Sequence, residues 1–422
     1  MRTPWRRGAL RRGLAAAVLA PILGRARAQQ PSGLVLREPR LPPSTPMAQL
    51  HAGGPTGLLA VARDGGLWAL SLQQAEPRRL GRGLDPGTPR ASGHGRLAAR
   101  RAAGARWVQD GAAEAAQVHR EAPLAPHAGL LVLGLAVIGV AADSHHLVRH
   151  ERAPAGRWRP VARSAEPVLP DARPLQADLD GRGDGGHVVV LAGPDTQRYR
   201  HAVLGDAVEA TRVLWLERHA LTPMRTLALP APHVFEDIAP RPVALAGRTG
   251  AAGAAGASVG LLTVRSGPQG GQLALVSADA ARPGQLQLAA LGEPVGGFHR
   301  WLAPTTDGRQ LVAVHTPHIG GVLHVYEQAG EALLRRRLMA DVSTHAIGSR
   351  ETDLAVWLQG RLLLPSQDGR RLRRVRAGPD WAEEGEAPLP APLVLAIALA
   401  AEPAWAGLLA DGRVWLAHLN RA

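Results

Sequence analysis

A short apolar strand, a turn carrying glycine and a second short strand recur along this chain roughly every fifty residues, and that recurrence restricts the fold more than any other feature. Leu58-Leu59-Ala60-Val61 turns at Asp64-Gly65-Gly66 into Leu67-Trp68-Ala69-Leu70, and near the far end Leu408-Leu409 turns at Asp411-Gly412 into Val414-Trp415-Leu416. Between them the pattern returns as residues 96–99 with 106–108 (the faintest unit), 135–140 with 146–148, and 187–191 with 213–216 across a long insertion at 193–211. It continues as 261–264 with 273–276, 311–314 with 322–326, and 354–358 with 362–364. Alternating apolar and β-branched residues make these strands and not helices. The Asp-Gly and Gly-Gly turns supply the positive φ that tight hairpins need.

Further strand candidates at 226–229 and 337–339 raise a unit to four strands, which is one blade of a radial sheet array. So many short strands leave many unpaired edges, and closing them into a ring removes the exposure. The expected fold is therefore all-β: a single β-propeller of four-stranded antiparallel blades. Eight blades are favoured, with seven as the alternative and a pair of β-sandwiches as the competing architecture. The last unit is only a hairpin, and residues 33–37 form an orphan strand ahead of the first unit. The two are expected to share a blade, so that the N-terminal strand pairs with the C-terminal hairpin and closes the ring. The whole of 29–422 then forms one domain, with the Ala/Gly tract at 249–260 as a surface insertion.

Residues 1–28 read as an export signal: five arginines and no acid in the first twelve residues, an apolar run over 13–24, and Ala26-Arg27-Ala28 as a small-x-small cleavage site. Arg11-Arg12-Gly13-Leu14 resembles a twin-arginine motif, so the expected location is the periplasm or the exterior. The formal charge of +14 invites a nucleic-acid reading, but seven arginines lie in the signal. The arginines of the remainder are scattered, and aromatic residues make up only 3% of the chain. A nucleic-acid surface needs clustered cations with stacking rings, so that class is excluded. Without cysteine there is no disulfide and no thiolate metal site, and stability must come from packing. The longest apolar run after the signal, 129–142, is too short to span a bilayer and fits two buried strands, so no transmembrane segment is expected in the mature chain.

The sharpest local motif is Ala177-Asp178-Leu179-Asp180-Gly181-Arg182-Gly183-Asp184, followed by the strand that starts at His187. Carboxylates at alternate positions of a glycine-bent loop can converge on one hard cation such as calcium. This stretch resembles the loop of FG-GAP (VCBS-type) repeat β-propellers, in which Asp-x-Asp-Gly-Asp-Gly precedes the first strand of a blade. The resemblance implies calcium held by Asp178, Asp180 and the backbone carbonyl of Asp184. Arg182 stands where the family carries an acid, and Gly186 departs from its ninth position. Without the ion, the loop is a turn whose aspartates cap backbone amides. Calcium is the one cofactor this reading admits.

Other motifs fail on context. Gly181-x-Gly183-x-x-Gly186 precedes a strand instead of opening a helix, and Gly256-Ala257-Ser258-Val259-Gly260 lies in the Ala/Gly tract. His315, His318 and His324 suggest a metal cluster across a hairpin but have no carboxylate nearby in sequence.

A positional pattern is more informative. Polar segments lead into the innermost strands of the fifth, sixth and seventh units: Pro232-His233-Val234-Phe235-Glu236-Asp237, Gly297-Phe298-His299-Arg300-Trp301 and Ser343-Thr344-His345-Ala346, with Asp178 in the matching place of the fourth. Both phenylalanines of the chain fall in these segments. Such loops line the mouth of a propeller's central channel, which nominates His233, Glu236, Asp237, His299, Arg300 and His345 as a ligand site. The resulting expectation is a non-enzymatic binding or scaffolding module, for a protein or small-molecule ligand, resembling FG-GAP/VCBS repeat proteins. The alternative is a periplasmic propeller hydrolase or lyase whose His/Glu/Arg groups converge at the mouth.

Overall fold

A computed structural model describes residues 34–53, 57–87, 92–93, 97–100, 106–109, 124–134, 136–153, 158–181, 186–249, 257–282, 284–399 and 404–419. The proposed signal at 1–28, and Arg182 and Asp184 of the acidic loop, lie outside these. So does most of the Ala/Gly tract, which falls between two paired strands. The described residues from Leu34 onward belong to one compact unit. Its one helical element among them is a single 3-10 turn, Ala202–Leu204.

Strand β1 (Leu34–Arg37) precedes a meander of β2 (Met47–Ala52), β3 (Gly57–Ala62), β4 (Leu67–Ser71) and β5 (Arg78–Gly81). Next come β6 (Ser92–Gly93) and the hairpin β7 (Leu97–Arg100) with β8 (Arg106–Gln109), in the place of the faint second unit. Meanders then follow in series. One is β9 (Leu131–Leu133), β10 (Ala136–Val140), β11 (His146–Arg152) and β12 (Trp158–Pro167); the next is β13 (Leu175–Ala177), β14 (His187–Asp195), β15 (Glu209–Leu216) and β16 (Pro223–Ala228). After the two-residue β17 (Val234–Phe235) come β18 (Arg241–Thr249), β19 (Ala257–Gly267), β20 (Gly270–Ala278) and β21 (Leu286–Gly292). Then follow β22 (Leu302–Thr305), β23 (Leu311–His315), β24 (Val322–Ala329) and β25 (Ala332–Ala340), and β26 (Val356–Leu358), β27 (Arg361–Pro365), β28 (Arg371–Arg376) and β29 (Ala382–Pro388). The last sheet is β30 (Leu393–Leu399), β31 (Ala404–Leu409) and β32 (Val414–Leu419), completed by β1.

This is an all-β propeller of four-stranded antiparallel sheets, and the N-terminal strand closes it as its sequence placement implied. Leu34 lies opposite Leu419 and Leu36 opposite Ala417. Arg37 reinforces the closure from its side chain, which donates to the Leu72 carbonyl and lies 3.0 Å from His418 Nε2. The second strands of the meanders are buried along most of their length, whereas β5 and β16 at the fourth position have no buried residue and are half-exposed. Apolar side chains pack from one sheet onto its neighbour: Leu50, Leu58 and Leu70 of the first meander meet Leu395, Ile397 and Leu408 of the last. Truncating one such buried leucine to alanine costs about 2–5 kcal/mol.

The recurring hairpin is strands two and three in most sheets, but strands one and two at β26–β27. This offset matters because antiparallel strands put alternate connections at opposite ends of a sheet. The turn joining strands two and three therefore shares one end with the loop leading into strand one. The segments 232–237, 297–301 and 343–346 lead into β18, β22 and β26 and lie at that end, which we term the mouth. Asp178 does not. The strand β13 precedes it, so residues 178–186 join strands one and two at the opposite end, and the matching lead-in of that meander is the segment around Asp171.

Removing residues 34–37 leaves the edge of β32 unpaired. The expected result is a lower melting temperature together with concentration-dependent self-association, measured by thermal denaturation and sedimentation velocity.

Candidate functional site

The mouth is built around Glu236, which has no solvent exposure. A carboxylate there must be hydrogen-bonded to be tolerated. The insertion between β14 and β15 supplies one partner: His201 Nδ1 lies 2.5 Å from Glu236 Oε1. Ser266, at the end of β19, donates its hydroxyl to the other oxygen. Burial pushes the Glu236 carboxyl upward, and the His201 and Ser266 hydrogen bonds oppose that rise. Glu209 lies close by, also buried, and burial with the charge of Glu236 holds its carboxyl well above the usual range. Tyr199, from the same insertion, receives the His299 backbone N–H at 3.0 Å. Burial, with Glu236 second, raises its phenol.

The rings continue outward as a stack. His299 lies parallel to His201, 4.7 Å between centroids, and Phe298 stacks on His299 at 3.9 Å. His299 adopts φ +61°, an uncommon conformation for a side-chain-bearing residue, and Phe298 separates it from Gly296 and Gly297, both at φ +90°. The strained tip turns Phe298 out, leaving it 57% exposed.

Trp301 connects this group to a second one. Its indole N–H donates to the Glu236 carbonyl at 3.0 Å, and its ring stands 5.0 Å from that of His345. His345 Nε2 lies 2.7 Å from the Ser349 carbonyl and so must donate to it, which leaves Nδ1 as the acceptor for His318 Nε2, also at 2.7 Å. Burial lowers both imidazoles to about 4, so they are neutral near neutral pH. His299 is likewise lowered, by burial and then by His201. The His318 turn is positioned by Gly321. A Cβ there would fall 1.8 Å from the Val342 carbonyl oxygen, and Gly321 N–H donates to the Gln367 side chain at 2.6 Å.

Ion pairs brace the rim. Arg350 bonds Asp171 at 3.0 Å and Asp206 at 2.7 Å, and Arg173 meets Glu351 at 3.0 Å. Arg241 lies between Asp237 at 3.0 Å and Asp353 at 3.3 Å. These pairs tie the loop leading into β26 to those leading into β13 and β18. Asp171 is raised to about 6 by burial and then by Asp206, against the pull of Arg350.

Of the residues nominated from sequence, the structure brings Glu236, His299 and His345 into one chain of contacts. Asp237 is a buried brace that accepts from Thr263, Arg241 and the Ile238 amide. His233 turns away: its ring lies over Gly267, where a Cβ would sit 2.6 Å from it. Arg300 is exposed beside His299, while its carbonyl accepts from Gly271 at 2.7 Å. Phe235 is core, unlike Phe298. Sequence reasoning missed Tyr199, His201, Glu209, Ser266 and His318 as members. The visible signal was the 193–211 insertion, which carries one of only two tyrosines.

The histidine trio of the β23–β24 hairpin is split. His315 Nε2 meets Tyr326 Oη at 2.5 Å and its ring lies 4.0 Å from that of His324, whereas His318 joins the mouth. Asp178 and Asp180 are half-buried on either side of buried Leu179. These two carboxylates do not by themselves make a donor set: no group of three His, Cys, Asp or Glu among the described residues could hold a metal ion. Among those residues no helix is long and apolar enough to cross a membrane.

Fold and mouth together define a β-propeller whose loops at one end carry a packed, polar-aromatic cluster. Among solved structures, BamB from Moraxella catarrhalis is similar, with a TM-score of 0.51 and 14% identity over 91% of this chain and 100% of that one. A protein from Lactobacillus plantarum aligns at a TM-score of 0.44 and 12% identity, covering 85% of this chain and 96% of that one. At these identities the likeness to BamB concerns the fold. No family model matches the chain, and no curated protein matches it.

Two predictions follow from the cluster. The depressed imidazoles of His318 and His345 bind protons more readily in the unfolded chain, so their contribution to stability is complete above about pH 6.5 and is lost as pH falls towards about 4. Substituting both by glutamine should flatten the decline in melting temperature across that window. Gly321→Ala should destabilise the fold by roughly 1–3 kcal/mol, read by urea denaturation, because backbone and not a flexible side chain opposes the added methyl.

Proposed function

We propose that this chain is an exported, periplasmic β-propeller that acts as a non-enzymatic binding module and presents the mouth loops to a protein partner. The observation that carries this reading is the placement of apolar side chains. Phe298, Ile319 and Ile347 are 57%, 65% and 74% exposed, and each lies within two residues of a ring of the mouth cluster. Large apolar groups held out over a packed base favour a contact surface. The propeller fold shared with BamB is compatible with that role, by fold analogy only.

The order of the polar groups does not suit serine-based acyl transfer. Acyl transfer needs an imidazole on the serine hydroxyl, with the acid behind it. Here Ser266 donates directly to Glu236, and His201 lies on the far side of the same carboxylate. The buried pair thus braces the loops that carry His201 and Phe298. The FG-GAP-like turn at Asp178 belongs to the scaffold in this reading. A calcium ion on Asp178, Asp180 and Asp184 would stiffen the far end and leave the mouth unchanged. Its consequence is a melting temperature that falls on adding EDTA, and an unchanged value removes it.

A photo-crosslinking residue at position 298 or 347, used in extract from the native host, should capture a discrete partner. The same residue at Val161, on outer strand β12, should not. Equal labelling at all three positions, or none, overturns the reading.

A further inference from the structure

We infer that the partner segment received at the mouth is an acidic peptide carrying an apolar side chain at its centre; this rests on the binding reading above. The apolar part of the argument is Phe298, Ile319 and Ile347. They project from three different connections, which the contacts beneath them draw together. Phe298 stacks on His299 and through it on His201, and Ile319 follows His318, which is bonded to His345. Ile347 adjoins Gly348, whose N–H donates to the Val203 carbonyl at 2.9 Å, beside His201. Two of the presenting turns contain side-chain-bearing residues in the left-handed region, His299 at φ +61° and Thr316 at φ +44°. For β-branched Thr316 this conformation is a genuine outlier, of the kind that persists where surrounding structure imposes it.

Charge decides the chemistry of the partner. Arg200 follows Tyr199 and Arg300 follows His299, so both adjoin residues of the stacked rings. Among the described residues neither has an acidic partner: Arg200 bonds the Thr196 carbonyl and Gln197. Arg200 and Arg300 are exposed. The exposed carboxylate side chains of these loops, Glu293 and Asp353, are paired with Arg335 and Arg241. Glu209, Glu236 and Asp237 are buried, and Asp171 and Asp206 are held by Arg350. The rim is therefore a cationic border around an apolar centre, complementary to carboxylates that flank an apolar side chain. Arginine, with its planar fork of donors, suits carboxylate recognition.

The test uses the full chain and three short fluorescein-labelled peptides: Leu-Phe between pairs of Glu, Leu-Phe between pairs of Lys, and Gly-Ser between pairs of Glu. Binding is read by fluorescence anisotropy at two salt concentrations. The first peptide should bind at least about tenfold more tightly than either control, and its advantage over the Lys peptide should shrink at high salt. Phe298→Ser should weaken it about tenfold, as should Arg200→Glu with Arg300→Glu, while Arg300→Lys retains most of the binding. All these positions are exposed, and an unchanged melting temperature excludes misfolding as the cause. Equal binding of the three peptides, or binding indifferent to the substitutions, overturns the inference. If crosslinking at position 298 still captures a partner in that case, the binding reading survives and only the acidic assignment falls. If neither succeeds, both fall.

Discussion

Pairing of β1 with β32 is the interaction on which the ring depends. Each sheet is small and would expose two edges if it stood alone. Packing onto a neighbour buries its faces but cannot satisfy the backbone at the seam where the chain begins and ends. Four residues from the N-terminal side complete the last sheet, opposite Leu416 to Leu419, and join the two ends of the chain in one blade. Closure fixes which sheets are neighbours, and with it which loops can meet.

The mouth shows what closure permits. Lead-in loops of separate sheets meet there, and their backbone polar groups and charges must be satisfied away from bulk water. The solution is a continuous set of contacts: Glu236 clasped by His201 and Ser266, Trp301 on the Glu236 carbonyl, His318 on His345, Arg241 and Arg350 each bridging acids of different loops, and Arg173 paired with Glu351. These groups spend much of their hydrogen-bonding capacity on one another and so form a packed floor. Above it lie the apolar tips and, among the described residues, two exposed arginines without an acidic partner, Arg200 and Arg300.

Much of the architecture was legible in the sequence. Alternating apolar residues marked the strands, Asp-Gly and Gly-Gly marked the turns, and the orphan strand at 33–37 pointed to the closure. The site was only partly legible. Glu236, His299 and His345 stood out because they lie in short polar lead-ins between apolar strands. The adjacent His233, Asp237 and Phe235 carried the same signal and went elsewhere, into packing on Gly267, an ion pair and the core. The position of Asp178 was misread because β13 is only three residues long and has no strong apolar signature. Overlooking one short strand moves a loop to the opposite end of the sheet.

Local rules thus determined the repeat: period-two burial, turn residues that tolerate positive φ, and edges that require pairing all act within a few tens of residues. The mouth was decided by the tertiary structure alone. His201 meets Glu236 across 35 positions, Tyr199 meets the His299 amide across 100, and Arg350 meets Asp171 across 179. Nothing local encodes such separations. They follow from the ring, which sets one loop from each of several sheets around a common axis and leaves burial, charge and stacking to select the partners.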